Sequence, residues 1–231
     1  KTLNKNKLGL KQLLSTYIYL GDTMKKLVVV ITILILLIPK VNASTSSASS
    51  YILMDSTTGR VLMSKDMHTR RLIASITKIM TATLAIESGK LDDVVEVSPI
   101  IKEAYGSGIY IEVGEEITLK DLVYGLMLRS GNDAAMMISE YIGGTTEEFV
   151  NMMNKKAKEL GMEETTFYNP SGLPTPSGNY SSVYDMALLT KYAMNSPVYQ
   201  EIVKTKTYKV TTNKKTYLWH NKNKLLKYDY I

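Results

Sequence analysis

Ile73-Ala-Ser75-Ile-Thr-Lys78-Ile-Met80-Thr-Ala-Thr-Leu84-Ala-Ile-Glu87 is apolar on nearly every face. That spacing predicts a buried helix over 73–87, closed by Ser88-Gly89 with the glycine as its C-cap. Lys78 is the one charge ahead of Glu87. A buried ammonium needs partners or a lowered pKa. Ser75 stands three residues earlier, one turn back on the same face. A hydroxyl beside a desolvated amine can form a nucleophile and its activating base. The spacing alone also fits a lysine that snorkels to the surface beside an ordinary serine.

Outward from this helix the pattern alternates. Short β-type runs at 51–55 and 61–65 flank Ser56-Thr57-Thr58-Gly59-Arg60 and read as a hairpin. Further β-like pieces fall at 94–97 and 109–113. Thr118-Leu-Lys-Asp121 resembles a capping box and opens a helix to about residue 128. A second helix spans 132–141 before Gly143-Gly144, and Thr145-Thr-Glu-Glu148 caps a third that reaches Leu160-Gly161. Residues 169–180 hold three Pro and two Gly and form a loop. Ser182-Val-Tyr-Asp185 caps a helix to Met194, and 207–212 with 216–219 form a second hairpin. Strands, then helices, then strands predict an α+β fold with one sheet built from both chain ends.

Composition narrows the chemistry. The chain has 231 residues and no cysteine, which removes disulfides, zinc–cysteine sites and a cysteine nucleophile. Two histidines, His68 and His220, do not make a metal site, and no metal or cofactor is expected. They also lack the motifs of a Ser-His-Asp hydrolase. The formal charge of +6 suggests a nucleic-acid or membrane surface until it is located. Residues 1–43 carry seven lysines and one acid, so the whole excess lies there and the remainder is neutral. No nucleic-acid partner is expected.

Met24-Lys25-Lys26, the apolar run over 27–38, Pro39 and Val41-Asn42-Ala43 read as a secretory signal peptide over 24–43, cleaved before Ser44. The run is short for a spanning helix, which needs about 20 residues. Residues 1–23 read as translated upstream sequence, with a genuine basic extension as the other reading. Residues 44–49 read as a flexible linker and 50–231 as an incomplete catalytic domain. Export would place the protein at the cell wall or the outer face of the cytoplasmic membrane.

Ser75-Ile-Thr-Lys78 resembles the first active-site motif of penicillin-binding proteins, most closely the low-molecular-weight D-alanyl-D-alanine carboxypeptidases. Two Ser-x-Asn candidates exist for the second motif, Ser130-Gly131-Asn132 and Ser177-Gly178-Asn179. The first lies between two helices, as in the family; the second reads as a turn. The resemblance continues through Tyr51-Ile-Leu-Met-Asp55, Gly106-Ser-Gly-Ile-Tyr-Ile-Glu-Val-Gly-Glu-Glu116, Thr166-Phe-Tyr-Asn-Pro-Ser-Gly-Leu173 and Tyr180-Ser-Ser-Val-Tyr-Asp185. It implies the β-lactamase/transpeptidase-like fold, an antiparallel sheet flanked by helices with an all-helical lobe. It implies a serine D-Ala-D-Ala carboxypeptidase acting on peptidoglycan stem peptides, with β-lactams as covalent inhibitors. Ser75 would be the nucleophile, Lys78 its base and Ser130 a proton relay. Asn132 would bind the substrate amide, and Asp185 would give local support.

The family's third motif, Lys-Thr/Ser-Gly, is absent. The chain is read as a fragment truncated before that strand, which would supply a carboxylate-binding face and one of two oxyanion donors. Loss of one such donor costs about 2.7–4 kcal/mol. A chain ending at Ile231 is therefore expected to be poorly folded or inactive. Two alternatives are a serine β-lactamase of the same fold and a non-catalytic peptidoglycan-binding relative. For the first, Glu163 and Glu164 are the nearest candidates for a deacylating glutamate.

Overall fold

A computed structural model describes residues 21–36, 46–174 and 177–227. The chain divides into two units, Lys1–Ser47 and Ala48–Ile231. In the first, helix α1 (Asp22–Leu36) covers the charged start and most of the apolar run of the expected signal peptide. The expected cleavage point and all but residues 21–23 of the upstream segment lie outside the described residues. Among the described residues no helix is long and apolar enough to cross a membrane.

The second unit is α+β. Its strands are β1 (Tyr51–Met54), β2 (Val61–Lys65), β3 (Arg71–Leu72), β4 (Val94–Glu96), β5 (Glu116–Thr118), β6 (Tyr180–Ser181), β7 (Thr207–Thr211) and β8 (Thr216–His220). Its helices are α2 (Lys78–Glu87), α3 (Leu119–Arg129), α4 (Asn132–Gly143), α5 (Thr146–Glu159), α6 (Val183–Ala193) and α7 (Pro197–Lys204). Each N-cap read from the sequence forms, whereas the C-cap after Glu87 is Ser88 and Gly89 follows it with a left-handed backbone. The Thr118, Thr145 and Ser182 hydroxyls accept from the Asp121, Glu148 and Asp185 amides. Each such cap contributes about 1 kcal/mol. Helix α7 was not expected, although Ser196 caps it and Pro197 occupies its first turn.

Both hairpins form, with Tyr51 opposite Lys65 and Thr207 opposite His220. The single sheet from both chain ends does not. Among the described residues the strands make four separate antiparallel pairs, β1–β2, β3–β6, β4–β5 and β7–β8. The expected strand over 109–113 is a loop as well. Its Ile109 and Tyr110 amides donate to the Asp133 carboxylate at 3.0 and 2.7 Å instead of to a neighbouring strand. Strand β5 follows it and takes the place beside β4.

Helix α2 is the centre of the core and packs against α3, α4, α5, α6 and α7. Its Met80, Ala82 and Ala85 are wholly buried, as are Leu122 and Leu126 of α3, Ala135 and Ile138 of α4, and Phe149 and Met153 of α5. Burial of large apolar side chains such as these contributes about 1.5–3 kcal/mol each. The β7–β8 hairpin is held on this layer by aromatic and polar contacts. Tyr208 stacks on Tyr124 with ring centroids 3.7 Å apart. Tyr217 donates to the buried Glu115 carboxylate at 2.8 Å.

Candidate active site

The expected α-helix over 73–87 is α-helical only from Lys78. Ala74–Thr77 form a 3₁₀ turn. The reason is long-range. Ala74 has a left-handed backbone, φ 43°, and the Ile73 amide donates out of the segment to the Asn179 carbonyl. In a 3₁₀ turn residues three apart eclipse one another. Ser75 and Lys78 therefore stack along one face, and Lys78 Nζ lies 3.3 Å from Ser75 Oγ. Ser75 is exposed while Lys78 is buried, so the hydroxyl meets solvent and the amine does not.

Lys78 Nζ has two further acceptors. It donates to Asn132 Oδ1 at 2.8 Å and to the Ser171 carbonyl at 2.6 Å. The ammonium's three protons are thus matched by three acceptors. Burial nevertheless pushes its pKa down to about 8, helped by the like charge of Lys222 and opposed by Asp133. Loss of one proton leaves a lone pair, and the longest of the three contacts, to Ser75 Oγ, is the one most readily reversed. A neutral amine in that position can accept a proton from the hydroxyl.

Asn132 is fixed from both sides. Its amide donates to the Ser107 carbonyl at 2.8 Å and its Nδ2 to the Tyr105 carbonyl at 2.6 Å. Asp133 gathers the same loop through Ile109 and Tyr110, and Tyr110 itself has φ 62°. Ser130 ends α3 in the left-handed region, φ 61°, which turns the chain into α4. Among the described residues no hydrogen bond reaches its Oγ. Lys222 borders this side, with its amide on the Leu128 carbonyl and its Nζ 3.3 Å from Ser107 Oγ. Ser75, Lys78 and Asn132 are therefore joined directly, and Ser130 enters the site through its place two residues before Asn132.

Sequence reasoning passed over the loop at 169–173. Its Ser171 carbonyl is the shortest partner of Lys78, and Thr81 Oγ1 holds the adjacent Pro170 carbonyl at 2.7 Å. Gly172 has φ +86°, and a Cβ there would fall 1.9 Å from the Ala74 carbonyl oxygen. No residue with a Cβ fits so close to the turn that carries Ser75. The only readable signal was the segment Asn169-Pro-Ser-Gly172 inside a block of resemblance.

Glu164 is engaged elsewhere. It pairs with His68 Nδ1 at 3.2 Å and accepts from Ser182 Oγ at 3.2 Å. The neighbouring Asp185 carboxyl interacts with it as well. Asp185 is wholly buried, accepts from the Glu164 amide and Thr165 Oγ1 through Oδ2, and leaves Oδ1 unpartnered. Burial raises its pKa to about 6. His220 sits at the end of β8, with Nδ1 3.1 Å from Thr207 Oγ1. Among the described residues no group of three or more His, Asp or Glu is arranged for a metal.

Residues 39–231 match the peptidase S11 family, described as D-alanyl-D-alanine carboxypeptidase. The chain belongs to this family. It is 44% identical over 191 residues to the D-alanyl-D-alanine carboxypeptidase DacF of Bacillus subtilis, covering 78% of this chain and 48% of that protein. Against DacC of Escherichia coli the identity is 35%, covering 80% and 48%. The chain spans about half the length of these curated relatives. Among solved structures, a D-alanyl-D-alanine carboxypeptidase from Mycobacterium tuberculosis superposes with TM-score 0.75 at 29% identity, covering 78% of this chain and 68% of that one. DacD from Francisella tularensis gives TM-score 0.67 at 38% identity, covering 71% and 41%. The S11 fold is thus that of penicillin-binding DD-peptidases.

Proposed function

We propose that the protein is a serine-type D-Ala-D-Ala carboxypeptidase that trims peptidoglycan stem peptides through an acyl-enzyme on Ser75. The observation that carries this reading is the buried Lys78 amine on Ser75 Oγ, held there by Asn132 and the Ser171 carbonyl. The fraction of Lys78 that is neutral takes the Ser75 proton. Oγ attacks the carbonyl carbon of the terminal peptide bond, and the C–N bond breaks. Ser130 passes a proton to the leaving D-Ala amine, and Asn132 hydrogen-bonds the substrate amide. Water then hydrolyses the ester. β-Lactams acylate the same oxygen.

The protein acts outside the cytoplasm, and residues 24–43 serve as its export signal. The β-lactamase reading is weaker because Glu164 is spent on His68, Ser182 and Asp185. Retention of Ser75, Lys78, Ser130 and Asn132 together disfavours a non-catalytic relative.

The test is covalent labelling of the whole protein by a fluorescent penicillin. Ser75→Ala abolishes labelling and Lys78→Ala slows it strongly. Unchanged labelling of either variant sinks the assignment. Release of D-alanine from a peptide ending in D-Ala-D-Ala, with little nitrocefin turnover, separates the carboxypeptidase from the lactamase.

A further inference from the structure

Asn179 belongs to the second Ser-x-Asn sequence, which reads as a turn and has no part in the chemistry above. The structure gives it an unusual position. It is wholly buried and every hydrogen-bonding atom of its side chain is used. Nδ2 donates to Thr77 Oγ1 at 2.9 Å and to the Asn169 carbonyl at 2.8 Å. Oδ1 accepts from the Tyr168 and Asn169 amides at 2.7 and 3.1 Å. Its carbonyl accepts from the Ile73 amide at 3.1 Å. One residue therefore grips both the turn that carries Ser75 and the loop that follows residue 167.

The grip continues to the base. Asn169 Oδ1 accepts from the Ser171 and Gly172 amides at 3.2 and 2.7 Å and so folds the loop. That fold aims the Ser171 carbonyl at Lys78 Nζ. None of the hydrogen bonds made by Asn179 or Asn169 ends on Ser75 Oγ. Their effect passes only through the placement of other groups.

We propose that Asn179 is a positioning residue for the Ser75–Lys78 pair, fixing the 3₁₀ turn and the Ser171 carbonyl in one geometry so that Lys78 stays desolvated against the serine. This rests on the acyl-transfer reading above. A side chain that cannot bridge Thr77 and Asn169 frees the loop, and water reaches the amine. Burial is the largest cause of the lowered Lys78 pKa; Lys222 and Asp133 are the charged groups that also face it. Relief of burial moves the pKa upward, towards that of an ordinary lysine.

The test uses the whole protein with Asn179→Ala, Thr77→Val and Thr77→Ser. The first two remove the bridge from either end, while the third keeps the oxygen that accepts from Nδ2. Second-order penicillin acylation is measured against pH per folded molecule. Asn179→Ala and Thr77→Val slow acylation by at least about tenfold at neutral pH. They also move the acid limb upward by about half a unit or more. Thr77→Ser keeps the wild-type profile. A merely structural role lowers the melting temperature but leaves the limb in place, and that result overturns the proposal. Lys78 is titrated in parallel through its labelled 13Cε resonance, which needs no acyl chemistry. An unlabelled wild type would sink the acyl-transfer reading. An identical Lys78 titration in wild type and Asn179→Ala would sink the positioning role.

Discussion

Gly172→Ala is the most informative single change. The new Cβ would lie 1.9 Å from the Ala74 carbonyl oxygen, 2.3 Å from the carbonyl carbon and 3.0 Å from the Ser75 nitrogen. These are backbone atoms, so no side chain can swing aside. To reach ordinary contact, either the loop or the Ala74–Ser75 peptide must shift by ~1 Å or more. Either shift separates Ser75 from Lys78 or takes the Ser171 carbonyl off the amine. Misplacement on that scale costs about 10²-fold in rate. The left-handed φ of +86° adds about 1–2 kcal/mol for a residue with a Cβ. Gly161→Ala is the control, since its φ is +72° and nothing lies within 4 Å. It carries the backbone cost alone, a fall in melting temperature of about 2–4 °C for each kcal/mol. The assay is the second-order rate of penicillin acylation, read beside the melting temperature. Gly161→Ala is less stable with a normal rate, while Gly172→Ala loses both. A Gly172→Ala rate within about threefold of wild type would show that the close approach does not set the geometry of the pair.

Other outcomes follow from the titrating groups. The wild-type acylation rate rises through a limb near pH 8, because only neutral Lys78 can take the serine proton. A rate flat from pH 6 to about 9 would remove Lys78 as the base. The same lowered pKa makes the folded state bind fewer protons than the unfolded one above pH 8. The stability contribution of Lys78 therefore rises from about pH 8 towards 10.5, and Lys78→Met flattens that rise in denaturant titrations. Asp185 has the opposite sign. Its pKa is raised from 3.8 to about 6, so its contribution is full below 3.8 and lost as pH climbs through 6. Asp185→Asn supplies a permanent donor toward Glu164 and should hold the neutral-pH melting temperature while removing that slope. A large loss of stability at neutral pH with the slope intact would refute the assignment of that slope to Asp185.

What could be read from the sequence was local. Thr118, Thr145 and Ser182 cap their helices because a cap needs only a hydroxyl three residues ahead of an amide. Ser75 and Lys78 were legible for the same reason. The 3₁₀ turn was not, because Asn179 and Gly172, about a hundred residues away, impose it. The Ser171 carbonyl has no signature, since every residue owns one. Residues 109–113 alternate like a strand, yet the Asp133 carboxylate claims the Ile109 and Tyr110 amides and the Glu115 carboxylate that of Glu112. Helix α7 was missed for a smaller reason. Ser196-Pro197 is a readable start and the eight residues it opens are amphipathic, but two turns fall short of the window of about 11–18 residues over which a helical period is read.

The non-glycine residues with positive φ are Asp66, Ala74, Tyr110 and Ser130 among the described residues; Ala74 adjoins Ser75, Ser130 lies two residues before Asn132, and the Tyr110 amide donates to Asp133, the acid that faces Lys78. Such backbones cost of order 1–3 kcal/mol each. The stability of the fold is therefore being spent in one place, next to the chemistry. A protein bred for heat resistance alone would drift towards glycine at 74, 110 and 130. At 130 that drift would remove a hydroxyl that the proposed mechanism needs. Stability and activity compete here for the same three backbone positions.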